Sequence, residues 1–238
     1  MTNRVLLDNV DHRDLKVALR YGAAYGDAVN QLPIFPVEFE EAQRDFPILF
    51  RRDAEGELQA VVLLGLDRDE NLFLDGDKWT SRHIPLVQQR GPFSLAVGPG
   101  GSPLAEPVLH VDLDDPRVGA ADGQPLFLPQ GGNGRYLDHV TRVLELLRSN
   151  VEAARHMYAA FESLGLLQPL ELDVELDEER RYAIADYSGI TAETLADLNG
   201  AELEQLSRDG YLRPAVLASA SLGNVSQLID RKLLRSMA

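Results

Sequence analysis

The sequence contains no cysteine among its 238 residues. A disulfide framework, a thiolate metal site and a cysteine nucleophile are therefore excluded. Long apolar runs are missing as well, since the longest is Ala60–Leu64 and the following Gly65 and Leu66 extend it only slightly. Because a helix that spans a bilayer needs about 20 apolar residues, we predict no membrane insertion.

Basic residues are scarce, with 23 lysines and arginines against 38 aspartates and glutamates and a net charge of −15. Nucleic-acid binding requires clustered Lys and Arg, so nucleic acid is not an expected partner. Near the N-terminus, the short apolar run Val5–Leu7 is followed at once by Asp8. A secretory signal needs a longer apolar region, and we therefore expect a soluble, cytoplasmic protein.

Apolar residues recur at steps of three and four in one segment, which predicts a long amphipathic helix over about residues 136–164. The series consists of Leu137, Val140, Leu144, Leu147, Val151, Ala154, Tyr158 and Phe161. Gly165 follows as the expected C-terminal cap. Such a stripe is typical of packing inside one chain, while a structural homodimer through this helix stays an alternative.

Strand patterns dominate the part of the sequence before this helix. Residues 47–51 and 58–64 flank a turn at 53–56 and predict a β-hairpin. Further strands are predicted at residues 71–74, 92–97, 108–112 and 125–128. Short helices are predicted at residues 14–21 and 37–44, and loops at residues 98–107 and 114–123.

After the long helix, alternating residues predict a second hairpin from strands 170–176 and 181–187, joined by an acidic turn at 177–179. Helices are then predicted at residues 191–198, 201–207 and 221–234. The expected fold is α+β, with a mostly antiparallel, β-rich N-terminal half, one long amphipathic helix, a β-hairpin and a helical tail. We expect a single domain over residues 1–238, with a possible subdivision into residues 1–130 and 131–238.

Three blocks of the sequence occur in a familiar order. They are Leu32–Phe39 with Phe46–Phe50, then Asn71–Asp75 with Trp79–Pro85 and Arg90–Phe93, and last Gly165–Pro169 with Tyr182–Asp186 and Ala218–Leu228. In this order and spacing the chain resembles the SapC family, named after a bacterial surface-layer gene cluster, over nearly its whole length. It departs from the family pattern at Gly91, where an aromatic residue is more usual, and in the loop at residues 131–134.

The resemblance implies no established reaction and no catalytic residues. Members of the family often lie near TonB-dependent receptors, flavin halogenases and cupin-like oxygenases, which implies a shared uptake or modification process. Some members carry a peptide-transporter permease label. A permease needs several spanning helices, and no segment of this sequence is apolar enough for one.

One set of residues has the composition of an iron site. His110-Val-Asp112 lies on a predicted strand and His139 near the start of the long helix, which matches the two His and one carboxylate of non-haem iron enzymes. With 5 histidines and 38 acidic residues, about one His-x-acid triplet is expected by chance, and His12-Arg-Asp14 is a second. An iron-dependent, oxygenase-like enzyme using His110, Asp112 and His139 is therefore only an alternative, and no cofactor is predicted.

Three other patterns lack essential positions. Asp67–Asn71 begins like a calcium loop, but Leu72 and Lys78 stand where an EF-hand needs Gly and Glu, which favours an acidic surface turn. Residues 131–134 with Arg135 precede the long helix and could hold an anion there, or simply be a flexible connection, since the P-loop and dinucleotide patterns are absent. The Gly-x-Ser-x-Gly signature of serine hydrolases does not occur.

The single tryptophan, Trp79, lies close in sequence to Arg82, His83 and Arg90. Aromatic and Arg side chains dominate binding hot spots, so this segment is the first candidate for a recognition surface. The alternative is that Trp79 is packed in the core, as large aromatic residues mostly are, while the arginines neutralise nearby acids.

These observations predict a non-catalytic protein-interaction or ligand-binding module of the SapC type, accessory to a modification or uptake system. Its candidate binding residues are Trp79, Arg82, His83, Arg90 and Arg135. A protein partner is expected, such as a modifying enzyme. The alternatives are the iron-dependent enzyme and the homodimer described above.

Overall fold

The computed structural model describes residues 3–96, 108–175 and 180–237. The loop predicted at residues 98–107 and the turn predicted at residues 177–179 lie outside these residues. The chain divides into two compact units. The first comprises Met1–Asp27, Gly76–Lys78 and Leu86–Ser149, and the second comprises Ala28–Asp75, Trp79–Pro85 and Asn150–Ala238.

The fold is α+β, as the sequence predicts, and its strands pair in antiparallel fashion. The strands are β1 (Arg4–Leu6), β2 (Lys16–Val17), β3 (Gln31–Ile34), β4 (Ile48–Arg52), β5 (Leu58–Leu63), β6 (Leu74–Asp75), β7 (Lys78–Trp79), β8 (Phe93–Leu95), β9 (Leu109–Asp112), β10 (Gln124–Pro125), β11 (Gln168–Glu175) and β12 (Arg181–Gly189). The α-helices are α1 (Phe39–Ala42), α2 (Leu86–Gln89), α3 (Arg135–Ser163), α4 (Ala192–Ala196), α5 (Gly200–Arg208), α6 (Leu212–Ser221) and α7 (Asn224–Ser236). Short 3₁₀ helices lie at Ala23–Tyr25 and Pro36–Glu38.

The first unit packs two small sheets around the N-terminal half of α3. One sheet has the strand order β1-β9-β8, and the other pairs β10 with β2. Phe93, Val111 and Leu126 form a buried cluster with Leu137 and Val140 of the helix, and other buried members are Val17, Tyr136 and Leu144. Strand, loop and helix residues that are far apart in sequence therefore share one apolar core.

The second unit is built on a five-stranded sheet with the order β11-β12-β4-β5-β3. The predicted hairpin at 47–64 is confirmed as β4 and β5, and the hairpin predicted after the long helix is confirmed as β11 and β12. Phe50 of β4 meets Tyr158 and Phe161 of α3 edge to face, with ring centroids 5.8 and 6.0 Å apart. Such contacts add to the burial of the rings themselves.

Helix α3 confirms the predicted long helix and its stripe, with one exception. Six of the eight stripe residues are buried, and Leu147 is partly buried, but Val151 is 42% exposed. The helix contributes residues 135–149 to the first unit and residues 150–163 to the second. Gly165 ends it in the left-handed conformation (φ 65°), as predicted for the C-terminal cap.

One prediction of local structure is wrong, and two others differ from the structure in detail. Residues 14–21 do not form a helix, because Lys16 and Val17 pair with β10 as strand β2. The helix predicted at 221–234 is confirmed as α7, although it begins only at Asn224, and α6 is a further helix that no sequence pattern predicted. The possible subdivision at residues 130 and 131 differs from the two compact units, because each unit takes segments from both sides of it.

Side chains at the break between α6 and α7 hold both helices against the segment around α1 and β4 in the same unit. The hydroxyl of Ser221, at the end of α6, accepts a hydrogen bond from the backbone N–H of Ile48 at 2.8 Å. The side-chain amide of Asn224, at the start of α7, donates to the carbonyl groups of Gln43 and Phe46 at 2.7 and 3.1 Å. Polar side chains at the junction therefore satisfy backbone groups of Gln43, Phe46 and Ile48.

The end of α7 is anchored by Lys232. Its ammonium donates to Asp67 Oδ2 at 2.5 Å and to Glu70 Oε1 at 2.7 Å. Burial lowers the pKa of Lys232, but the hydrogen bonds to the two carboxylates outweigh it and the net pKa is raised. Asp67 and Glu70, from the segment that begins like a calcium loop, therefore neutralise a buried lysine. Three residues later, Arg235 donates to the carbonyl of Asn71.

We predict that Lys232→Ala lowers the free energy of unfolding by about 2–3 kcal/mol, because it leaves the largely buried Glu70 carboxylate without its charged partner. Arg208→Ala is the matched control, since Arg208 pairs with Glu204 on the exposed surface of α5. That change is expected to cost less than about 1 kcal/mol. Urea titration measures both, and equal costs would contradict the role given to Lys232.

The structure explains why glycine, rather than a residue with a side chain, occupies position 91, where the sequence departs from the family pattern. The φ of Gly91 is +55°, and a Cβ atom at this position would lie 2.8 Å from the Tyr136 hydroxyl in the same unit. A side chain here is thus opposed both by the backbone conformation and by the tyrosine that occupies the adjacent space. Tyr136 itself is buried against Phe93, with ring centroids 6.0 Å apart.

Gly91→Ala is expected to destabilise the protein by about 2 kcal/mol, from the left-handed backbone and from overpacking against Tyr136. Gly119→Ala is the control, because its φ of +77° gives the backbone cost with open space around the Cβ. Thermal and urea unfolding give both values. In a Tyr136→Phe background the cost of Gly91→Ala should fall toward that of the control, and an unchanged cost would refute the steric explanation.

Candidate functional site

A groove lies in the second unit between the loop of the β4–β5 hairpin and the C-terminal half of α3. It consists of three cavities of about 690, 180 and 480 Å³. Arg52, Leu58 and Glu162 line both the first and the second cavity. Glu57, Leu58, Arg155 and Tyr158 line both the second and the third. The three cavities therefore adjoin one another, and together we call them the hairpin groove.

Two ion pairs cross the middle of the hairpin groove. Arg52 pairs with Glu162, and Arg155 Nε lies 3.7 Å from Glu57 Oε2. Each pair joins the hairpin to α3, and all four side chains are more than 40% exposed. Exposed pairs of this kind contribute at most about 1 kcal/mol each, so the middle of the groove is held only weakly.

The 480 Å³ cavity at one end is mainly apolar. Its apolar lining is Pro33, Ile34, Phe35, Leu58, Val151, Ala154 and Tyr158. Val151 is the one residue of the helical stripe that the protein leaves exposed, and here it forms part of a wall. The volume lies in the range of small-molecule binding sites.

Three acidic residues of the hairpin also line this apolar cavity, namely Asp53, Glu55 and Glu57, which we call the acidic rim. Asp53 Oδ1 accepts hydrogen bonds from the backbone N–H groups of Glu55 and Glu57 at 3.0 and 2.9 Å. This turn fixes the hairpin loop and with it the position of the rim. The cavity therefore combines apolar walls with negative charge held at its edge.

The 690 Å³ cavity at the other end has a different character. The guanidinium carbon of Arg51 lies 5.6 Å from the centre of the Tyr187 ring, and both residues line the cavity. Arg51 Nε is buried and has no hydrogen-bond partner among the residues that the structure describes. Burial raises the pKa of Tyr187 although the charge of Arg51 lowers it, so the phenol stays neutral and donates to Gln31 Oε1 at 2.9 Å.

Asp186 lines the same cavity and has an unusual backbone. Its φ is +67°, which makes it a non-glycine residue in the left-handed region. Leu170 pairs with Tyr187 and Leu172 with Ile184, so strand β12 has one more residue than β11 between these pairs. Asp186 belongs to that β-bulge, and bulges and backbone outliers often occur beside functional sites.

The residues predicted as a binding surface do not form one cluster within either unit. Trp79, Arg82 and His83 belong to the second unit, while Arg90 and Arg135 belong to the first. Trp79 is half-buried, and Arg82 is exposed while its backbone N–H donates to Asp45 Oδ2 at 2.8 Å. None of these five residues lines the hairpin groove.

His83 and Arg90 have structural partners. His83 Nε2 lies 3.1 Å from Glu38 Oε1, and the other carboxylate oxygen of Glu38 accepts from the backbone N–H of Phe35 at 2.9 Å. Arg90 donates to the carbonyl groups of Val87 and Phe93 at 3.1 and 2.9 Å. Burial lowers the pKa of Arg90, and neighbouring arginines lower it further.

At the predicted anion site before α3, two glycine N–H groups donate to carbonyl groups of the chain. The N–H of Gly131 donates to the carbonyl of Leu128 at 2.9 Å, and the N–H of Gly134 donates to that of Leu126 at 2.7 Å. Arg135 is exposed on the first turn of the helix. The N–H groups of Gly131 and Gly134 therefore serve the loop itself rather than an anion.

The alternative iron site is not assembled. His110 and Asp112 lie on β9, where His110 pairs with Leu6 and Asp112 with Arg4, while His139 is exposed on α3. Asp112 Oδ1 accepts the backbone N–H of Asp114 at 3.2 Å. In the described ranges no three His, Asp or Glu side chains come close enough together to hold a metal ion.

The bulge predicts opposite effects of glycine at two adjacent positions. Asp186→Gly should leave stability unchanged or raise it by up to about 1 kcal/mol, because glycine adopts a positive φ without strain. Ala185→Gly, at an exposed position beside it on the same strand, should cost about 0.5–1 kcal/mol. Urea denaturation of both variants provides the measurement, and a larger loss for Asp186→Gly would show that its side chain stabilises the bulge.

No described helix is both long and apolar enough to cross a membrane. No curated protein and no solved structure matches the chain. The model of the SapC family matches residues 7–228, which is nearly the whole chain. The match covers all three sequence blocks on which the resemblance rested. The protein therefore belongs to the SapC family.

Proposed function

We propose that this SapC-family protein is a cytoplasmic, non-catalytic protein-interaction module, accessory to a modification or uptake system, and that the hairpin groove is its binding surface. The observation that supports this most is the open apolar cavity at Val151. A 42% exposed valine, in a stripe whose other residues are buried or partly buried, leaves apolar surface beside α3 for another molecule to cover.

The groove also has the features of a formed binding site. Its hairpin loop is fixed by the Asp53 turn, so the backbone that carries the rim does not have to be ordered when a partner binds. The two ion pairs across its middle are exposed and weak, and a partner can replace them at small cost. The proposal moves the expected recognition surface from the Trp79 segment to the groove.

The proposal predicts that Val151→Gln weakens partner binding about tenfold, because an amide replaces an apolar wall without adding charge, and Gln favours a helix at least as well as Val does. Leu146→Gln is the matched control, since Leu146 is 39% exposed on the same helix and does not line the groove. The measurement is affinity capture from native lysate at near-native expression, with captured proteins quantified by mass spectrometry. Equal capture by the two variants, or no reproducible partner of the wild type, would overturn the proposal.

A further inference from the structure

We infer that the apolar cavity of the hairpin groove receives a basic segment of a partner protein. The segment places one apolar side chain beside Val151 and Lys or Arg side chains against the acidic rim. This inference rests on the proposed function and adds the chemistry of the partner.

The walls of the cavity define the first element of the partner. Pro33 and Phe35 stand on the strand side, and Ala154 and Tyr158 stand on the helix side. Burial raises the pKa of Tyr158, against a hydrogen bond to the backbone of Ala60, so this residue brings no charge to the cavity. Between uncharged walls, an aliphatic or aromatic side chain is the group that gains most from leaving water.

The charges around the cavity define the second element. The three carboxylates of the acidic rim face a single cation, Arg155, among the lining residues. Arg155 lies 3.7 Å from Glu57, and both side chains are about 60% exposed, so this pair neutralises the rim only in part. Glu55 forms no ion pair among the described residues. A Lys or Arg on the partner would complete the charge balance, and the net charge of −15 would attract such a segment from a distance.

Two other occupants fit less well. A second copy of the chain would bring a net charge of −15 toward an acidic rim, which opposes association. An added β-strand would have to pair with the edge strand β3, where Pro33 has no N–H to donate. The next residue but one, Phe35, already donates its N–H to Glu38. Side-chain insertion with basic flanks is therefore the mode that the groove favours.

The test is selection of phage-displayed random dodecapeptides on the immobilised wild-type chain, with elution and sequencing after each round. Enriched peptides are expected to carry Lys or Arg within a few residues of a large apolar residue. The most enriched peptide is then labelled with fluorescein, and its affinity for the wild type and the variants is measured by fluorescence anisotropy.

The double variant Glu55→Gln/Glu57→Gln removes charge from the rim without changing the apolar walls. It should weaken peptide binding about five- to tenfold, which is the scale of two partly exposed ion pairs. The control, Glu40→Gln/Glu41→Gln, removes two adjacent exposed acids of the same unit that pair with Arg213 and Arg44 outside the groove. Affinity for the control should stay within about twofold of the wild type, and added salt should weaken wild-type binding more than binding to the rim variant.

The outcomes separate this inference from the proposed function. If Val151→Gln weakens peptide binding but the rim variant does not, or if enriched peptides carry no basic bias, the groove binds a partner but not a basic one. If no enriched peptide responds to Val151→Gln, the groove is not a peptide site and both fail. A wild-type dimer in sedimentation that Val151→Gln dissociates would assign the cavity to a second copy. Thermal unfolding of each variant excludes loss of folding as the cause.

Discussion

Helix α3 has to serve two hydrophobic cores, and this requirement shapes the rest of the molecule. With 3.6 residues per turn, apolar residues at steps of three and four form one stripe along the helix, and this stripe has to be covered by packing along its whole length. The stripe is buried in the first unit up to Leu144 and again in the second unit from Ala154. Val151 lies between these two stretches, and its exposure provides the apolar wall of the hairpin groove.

The acidic residues of the chain have different surroundings in different parts of the structure. Where carboxylates are largely buried, they have fixed partners: Glu70 with Lys232, Glu38 with His83 and the backbone of Phe35. At the hairpin loop, Asp53 organises the backbone while Glu55 and Glu57 remain at the surface. The first group stabilises the fold, because an unpaired buried charge is costly. The second leaves negative charge beside an apolar cavity, where a partner can use it.

Strong local patterns made much of the fold predictable. The β4–β5 hairpin, the β11–β12 hairpin, the long helix and the cap at Gly165 follow from alternation, helical periodicity and turn chemistry. Residues 14–21 were mispredicted because two residues there are held by pairing with Gln124 and Pro125, more than a hundred positions away. Local propensity carries no information on such a contact.

The candidate site was much less predictable than the fold. Tryptophan and arginine directed attention to Trp79–Arg90, whereas the groove is lined by residues from β3, the β4–β5 hairpin, α3 and the β11–β12 hairpin. Among the features of the groove, only the position of Val151 in the helical stripe and the acidic hairpin turn could be recognised from local sequence patterns. The sequence by itself determined the family, the α+β class and the long helix, because these depend on periodicity and ordered motifs. The tertiary structure alone decided which apolar residue stays exposed and which carboxylates lie beside it, because both depend on which distant segments pack together.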